Sequence, residues 1–248
     1  MTTWMSPISS SEQRDGRKSE LAANLEEVRQ RIRAACTAAG RDPGEVTLIG
    51  VTKTWPASDA RLLCELGVRD IGENRDAEAA PKAAACADLD ITWHFVGQLQ
   101  TNKCRSVARY AGVVHSVDRE RLVRALGAAA RAAGRTVTCL VQVNLDPVAG
   151  RSGRGGVAPD GAVALGKSVA AEPGLMLGGV MAVAPLGSGP AAAFARLGEC
   201  AGALRAAEPS ATVISAGMSG DLEAAIEAGA THLRIGTALL GKRQLRVR

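Results

Sequence analysis

Val46-Thr47-Leu48-Ile49-Gly50-Val51-Thr52-Lys53 is the stretch on which the fold and the function both turn. Its first seven residues are mostly β-branched or aliphatic and read as a buried strand. A lysine at the end of such a run is out of place unless chemistry requires it, because an ammonium is rarely buried without a partner. Lys53 is one of six lysines in a chain that takes most of its positive charge from arginine. Arginine can grip a phosphate or face solvent, but only an amine condenses with an aldehyde to a Schiff base.

The same kind of run recurs outward from this stretch. After 46–52, strands are expected at 68–71, 92–96, 112–116, 136–143, 175–180, 212–215 and 232–235. Between them, Ala-rich amphipathic segments predict helices near 57–66, 75–86, 99–110, 118–133, 158–171, 189–207 and 219–228, each long enough for a right-handed crossover. An amino-terminal helix is marked by Leu21, Leu25, Val28, Ile32 and Cys36 at three- and four-residue spacing. Eight strands and eight helices in alternation predict an α/β fold, a single TIM-type (β/α)8 barrel. The alternative is a doubly wound open sheet, which normally carries a Gly-rich turn after its first strand; here that position reads Lys53-Thr54-Trp55-Pro56. Residues 1–19 are expected to be a disordered leader, 20–243 the barrel and 244–248 a basic tail. A long polar loop is expected from 144 to 160.

Composition excludes several classes. The chain has 248 residues, enough for a full core, and a formal charge of +5, part of it in the carboxyl-terminal tail. The body is nearly balanced, which argues against a dedicated nucleic-acid surface. Six scattered cysteines form no CxxC pair and three dispersed histidines no metal-ligand spacing, so no metal site is expected and reduced thiols in the cytoplasm are the plain reading. No apolar stretch reaches the length of a membrane span, and the first residues lack a signal-peptide hydrophobic region. A monomer is expected.

Polar residues gather where the strands end: Lys53, Glu73 and Asn74, Gly97 and Gln98, Ser116 and Asp118, Asn144, Ser215, then Arg234, Gly236 and Thr237. In a barrel these ends form one mouth, where ligands bind. Ser215-Ala216-Gly217-Met218-Ser219-Gly220 and Ile235-Gly236-Thr237 have the small residues that let backbone N–H groups approach a phosphate, although such glycines also simply make turns. Lys53 reads equally as a rim lysine, or as one paired with a carboxylate such as Glu73. A nucleophilic lysine opposite a phosphate site would take an aldehyde that carries phosphate. Arg234, two residues before Gly236, could donate to a pyridine nitrogen and keep it unprotonated; it reads otherwise as a barrel salt bridge.

Taken in order, Val51-Thr52-Lys53-Thr54, Ile71-Gly72-Glu73-Asn74-Arg75, Trp93-His94-Phe95-Val96-Gly97-Gln98-Leu99-Gln100-Thr101-Asn102-Lys103, Ser116-Val117-Asp118, Val141-Gln142-Val143-Asn144, Ser215-Ala216-Gly217-Met218-Ser219 and Leu233-Arg234-Ile235-Gly236-Thr237 resemble the pyridoxal phosphate homeostasis protein family. That family is related to the alanine racemase barrel, without its additional β domain. The resemblance implies pyridoxal 5'-phosphate (PLP) held covalently by Lys53 and phosphate contacts from Ser215, Gly236 and Thr237. It also implies Arg234 at the pyridine nitrogen, with Asn74, Ser116 and Met181 as further cofactor contacts. It implies a protein of PLP homeostasis rather than an enzyme, with free amino acids and apo PLP-dependent enzymes as partners. The rival is a PLP-dependent amino-acid racemase. Such enzymes take a second base from a tyrosine, and the one tyrosine here, Tyr110, falls in a predicted helix. The chain departs from the family at Ala216 and Gly220 in the phosphate loop, and at Arg154 in the loop Arg151-Ser152-Gly153-Arg154-Gly155, where relatives carry lysine.

Overall fold

The run at 46–52 forms strand β1 (Thr47–Val51). In the computed structural model, which describes residues 10–146, 155–185 and 189–242, seven parallel strands follow it. They are β2 (Asp70–Glu73), β3 (Thr92–Phe95), β4 (Val113–Val117), β5 (Val137–Gln142), β6 (Leu175–Met181), β7 (Val213–Ser215) and β8 (His232–Ile235). Each pairs with its neighbours in the chain, and β1 closes the barrel on β8 with Ile49 beside Arg234 and Gly50 beside Ile235. Every described strand belongs to this closed sheet, so the open-sheet alternative is excluded. The crossovers are α2 (Ala57–Glu65), α3 (Asp76–Ala85), α4 (Cys104–Tyr110), α5 (Glu120–Ala132), α6 (Ala162–Ala171), α7 (Pro190–Ala207) and α8 (Leu222–Glu227), with a short α9 (Thr237–Leu240) after β8.

Two expectations need correction. The strand expected at 68–71 starts two residues later, because Val68 ends the preceding helix instead of opening a strand. Gly67 takes φ +86°, its N–H bonds to the Cys64 carbonyl, and the Val68 N–H reaches back to Leu63 at 2.9 Å. This is a Schellman closure, whose following apolar residue packs on the helix it ends. The leader expected through residue 19 is also too long. Helix α1 spans Ser10–Ala38, and its first turns are tied down by Arg14 and Lys18 to Glu65 (2.6 and 2.8 Å) and by Arg17 to Asp59 (2.7 Å). Residues 1–9 and the basic tail at 244–248 lie outside the described residues, as do residues 147–154 of the long loop, including Arg154.

Leu21, Leu25, Val28, Ile32 and Cys36 are all buried, and α1 packs against α8 and α9. Burying each of the larger side chains contributes roughly 1.5–3 kcal/mol. The amino-terminal helix thus fills the place that the four-residue α9 is too short to fill.

The inside of the barrel is the exception to an apolar core. Such interiors are usually packed with Val, Ile and Leu. Here His115 on β4 bonds to Ser215 on β7, although those strands are not neighbours, so the contact crosses the interior. His94, His115, Ser116, Ser215 and Arg234 are all buried.

Candidate functional site at the barrel mouth

Lys53 stands two residues past β1, in a turn closed by the Trp55 N–H bonding to the Thr52 carbonyl at 3.0 Å. Its neighbour Thr54 has φ +69°, a conformation in which a β-branched residue is strained. The turn is held from outside: the Thr54 N–H donates to Glu78 Oε2 at 2.9 Å, and Arg17 lies 4.5 Å above the Trp55 ring. Lys53 itself is exposed and makes no hydrogen bond or ion pair among the described residues. It is therefore not the desolvated strand residue that the sequence run implies; the strand delivers it to the rim and stops.

Glu73 is not its partner. The carboxylate, 1 % exposed, pairs with Lys82 of α3, 6 % exposed. Lys82 also donates to the Thr52 carbonyl at 2.8 Å, and Thr52 Oγ1 donates to Glu73 Oε1 at 2.5 Å. Two lysines thus sit on either side of Thr52, one locked in a buried pair and one free. Lys82 was not singled out from sequence, yet a signal existed: Ala79, Lys82, Ala83 and Cys86 are spaced as one buried helix face.

Arg234 lies inside the barrel with no carboxylate bonded to it among the described residues. Its NH1 donates to Ser215 Oγ at 2.6 Å and its NH2 to the Ala182 carbonyl at 2.8 Å. The salt-bridge reading of this residue is excluded among those residues. Burial pulls the guanidinium down to about 10, against the opposing charge of Asp221. Met181, the last residue of β6, pairs in register with Ser215 and is buried beside it.

Ser215 is placed differently from the sequence expectation. It is fully buried, and its hydroxyl is shared between Arg234 and His115 Nδ1 (3.0 Å). The serine that reaches the segment after β8 is Ser219, whose Oγ accepts the Ala238 N–H at 3.1 Å and so ties the loop after β7 to the turn that follows Gly236 and the exposed Thr237. Gly217 makes that loop possible. At φ +89°, with Ala225 Cβ 2.7 Å from where its own Cβ would be, no side chain fits. The Ala216 N–H is already bonded to the His232 carbonyl at 3.1 Å, so the residue type there does not change the donors offered to a ligand. Gly220 faces open space.

Ser116 ends near the mouth with its Oγ unpartnered and buried, as is Glu73 Oε2. Asn74 is half-buried and makes no side-chain hydrogen bond among the described residues; Gly97 packs so closely on its carbonyl that a Cβ would lie 2.1 Å away. A cavity of 610 Å3 opens beside the Lys53 turn, between Trp55, Glu78, Pro81 and Lys82. Another of 540 Å3 lies at the opposite end of the barrel, where Asp70 begins β2. Among the described residues no cluster of His, Cys, Asp or Glu could hold a metal ion.

This architecture is the one captured by the family model "alanine racemase, N-terminal domain", which matches residues 19–244; the chain belongs to that family. Within it, the curated relatives place the chain in the pyridoxal phosphate homeostasis protein family. The protein of that name from Mycobacterium tuberculosis H37Rv is 43% identical over 246 residues, 93% of this chain and 95% of its own. The Pseudomonas aeruginosa protein is 44% identical over 228 residues, 91% of this chain and 96% of its own. Among solved structures, PipY of Synechococcus elongatus PCC7942 with PLP bound superposes with a TM-score of 0.77 at 34% identity, covering 89% of this chain and all of PipY (100%).

Proposed function

We propose that this protein binds pyridoxal 5'-phosphate at the barrel mouth, held as a reversible Schiff base by Lys53, and serves PLP homeostasis as a carrier rather than as an enzyme. The observation that carries this reading is the pairing of an exposed amine just past the end of β1, without a partner among the described residues, with a buried guanidinium on the adjoining strand β8 that bonds to no carboxylate among them. Among the described residues, a buried cation with no carboxylate bonded to it, and oxygens of Ser116 and Glu73 left without a partner, fit a polar ligand. The PLP-bound relative of the same fold supports the choice of ligand.

When bound, PLP supplies an aldehyde that captures amines. Lys53 is the capturing amine; Lys82 is not, since its ammonium is engaged by Glu73 and the Thr52 carbonyl. Ser219, Gly236 and Thr237 present the phosphate cradle, and Arg234 faces the ring nitrogen, where a permanent cation disfavours protonation. Met181 and the buried Ser116 lie below, and Asn74 stands nearer the rim. Because Lys53 is exposed, a free amino acid or the lysine of an apo PLP-dependent enzyme can reach the same carbon and displace it. The protein acts as a cytoplasmic monomer. Its six unpaired thiols suit a reducing compartment, and no described helix is long and apolar enough to cross a membrane.

Racemisation needs a base on each face of the substrate carbon. Tyr110 does not supply the second: it lies in α4, its phenol is pushed up by burial, and it bonds to Asp76 at 3.5 Å. The test is borohydride reduction of PLP-loaded protein followed by peptide mass mapping. The adduct is expected on the Lys53 peptide and absent in Lys53→Ala. An adduct on Lys82, or none, contradicts the assignment, and rapid deuterium exchange at Cα of alanine would restore the racemase reading.

A further inference from the structure

A line of five side chains runs through the barrel from one end to the other. Asp70 Oδ1 meets His94 Nε2 at 2.9 Å, and His94 Nδ1 meets His115 Nε2 at 2.9 Å. His115 Nδ1 meets Ser215 Oγ at 3.0 Å, and Arg234 NH1 donates to that oxygen at 2.6 Å. With His94 neutral, hydrogen-bond chemistry gives this line one direction. An ionised carboxylate only accepts, so His94 Nε2 carries hydrogen. A neutral His94 then has a bare Nδ1, which must accept from His115 Nε2–H. The bare His115 Nδ1 accepts the Ser215 hydroxyl hydrogen, and the serine oxygen is left to accept from Arg234. Every hydrogen points away from the mouth.

We propose that Asp70, His94 and His115 are positioning residues that fix the Ser215 hydroxyl as an acceptor and thereby hold the Arg234 guanidinium facing the cofactor ring. The role rests on the PLP reading of the mouth. Two anchors, Ser215 Oγ on NH1 and the Ala182 carbonyl on NH2, define the plane of the guanidinium; without the first it pivots about the second. The rest of the surroundings are consistent with a fixed direction. His115 is held neutral by burial, with the neighbouring Arg234 cation acting in the same direction. His232, the other ring near the line, lies 6.5 Å from His94 and is bonded to Thr231. Asp221 is the carboxylate whose charge reaches Arg234. At the foot, Asp70 is partly exposed in the 540 Å3 cavity with Arg29, Arg33 and Arg69, so the accepting end meets solvent far from the ligand.

The test has two arms. Three histidines in the whole chain make 15N-histidine NMR of the protein alone assignable with single substitutions. His94 and His115 are expected to carry hydrogen on Nε2 and to have bare Nδ1. His115 protonated at Nδ1, or His94 doubly protonated at neutral pH, would overturn the direction without need of any variant. In the second arm, the visible Schiff-base band of PLP-loaded protein is titrated with pH in the unmodified chain, His94→Leu and His94→Gln. Glutamine can accept from His115 and donate to Asp70, so it keeps the direction; leucine cannot. A guanidinium released from the ring no longer opposes a protonated Schiff base. The titration midpoint of His94→Leu is therefore expected to rise by about one pH unit, tenfold in proton affinity, with His94→Gln restored to the unmodified value. Equal midpoints in all three would overturn the positioning role. If the unmodified protein shows no Schiff-base band, the PLP reading and the positioning role fall together, while the NMR arm still reports whether the line itself exists.

Discussion

Lys82→Met removes one member of the buried pair beneath the Lys53 turn and leaves the Glu73 carboxylate stranded. Glu73 is 1 % exposed and its Oε2 already has no partner; only the Thr52 hydroxyl, at 2.5 Å from Oε1, would remain. The Thr52 carbonyl keeps the Trp55 N–H at 3.0 Å, so the cost falls on the carboxylate and not on the backbone. Removing one partner of a buried ion pair costs about 3–5 kcal/mol. At about 2 °C per kcal/mol for a chain of this size, Tm falls by about 6–10 °C. In Glu73→Gln/Lys82→Met no buried charge is left, and glutamine still accepts from Thr52. More than half of the loss is therefore expected to return, because the single variant suffers mainly from the uncompensated charge. The assay is urea denaturation of both variants beside the unmodified protein, reading midpoint and slope together. A Lys82→Met loss below about 1 kcal/mol, or a double variant no more stable than the single one, would refute the claim that the two charges depend on each other.

Gly217→Ala forces a side chain into φ +89° against Ala225 and Leu233, and a loss of about 2–4 kcal/mol is expected from strain and overpacking together, measured by the same denaturation. Thr54→Gly relieves the positive φ at the Lys53 turn. With the entropy of glycine set against the strain, a net gain of about 0.5–1 kcal/mol in stability is expected, alongside a weaker Schiff-base band as the turn loosens. Burial lowers His232 from 6.5 to about 4, with the neighbouring His94 adding to it. The unfolded chain therefore binds the proton first as pH falls, so this contribution is fully present above pH 6.5 and lost between there and about 4. The loss amounts to about 3 kcal/mol, with His115 acting in the same direction. Denaturation midpoints from pH 7.5 to 4.5 are expected to fall steeply in the unmodified protein and less in His232→Gln.

The barrel was legible because its signals are local. Runs such as Val137–Gln142 and Leu175–Met181 alternate with long amphipathic helices, and the strands form within two residues of expectation. What the sequence misplaced depends on contacts between distant segments. Val68 looks like a strand residue until Gly67 turns the chain back onto α2. The extension of α1 to Ser10 depends on Glu65 and Asp59, more than forty residues on. Lys53, Arg234, Gly236 and Thr237 were readable as strand-end residues. The roles of Lys82, His94 and His115 were not, because each is defined by a partner on another element. Ser215 and Ser219 are only four residues apart, and periodicity alone does not say which one turns inward to an arginine and which outward to a loop.

The different fates of the two lysines beside Thr52 bear on carrier against catalyst. Lys82 shows what this fold does to an amine it intends to keep: it buries the ammonium, gives it a carboxylate and a carbonyl, and closes it off. Lys53 receives none of these. It is set on a strained turn outside the sheet, in the open, with the anchoring supplied to its neighbours Thr54 and Trp55 instead. A site built to run carbanion chemistry gains from excluding water and from a second base; among the described residues Lys53 is exposed, and the Tyr110 phenol is taken up by Asp76. A site built for exchange gains from the opposite arrangement: one rigidly placed cation within the barrel to orient the ring, and a capturing amine that an incoming amine can displace. On the proposed reading, a fixed guanidinium on the β8 side and an exposed amine on the β1 side are what holding and releasing the same ligand would require.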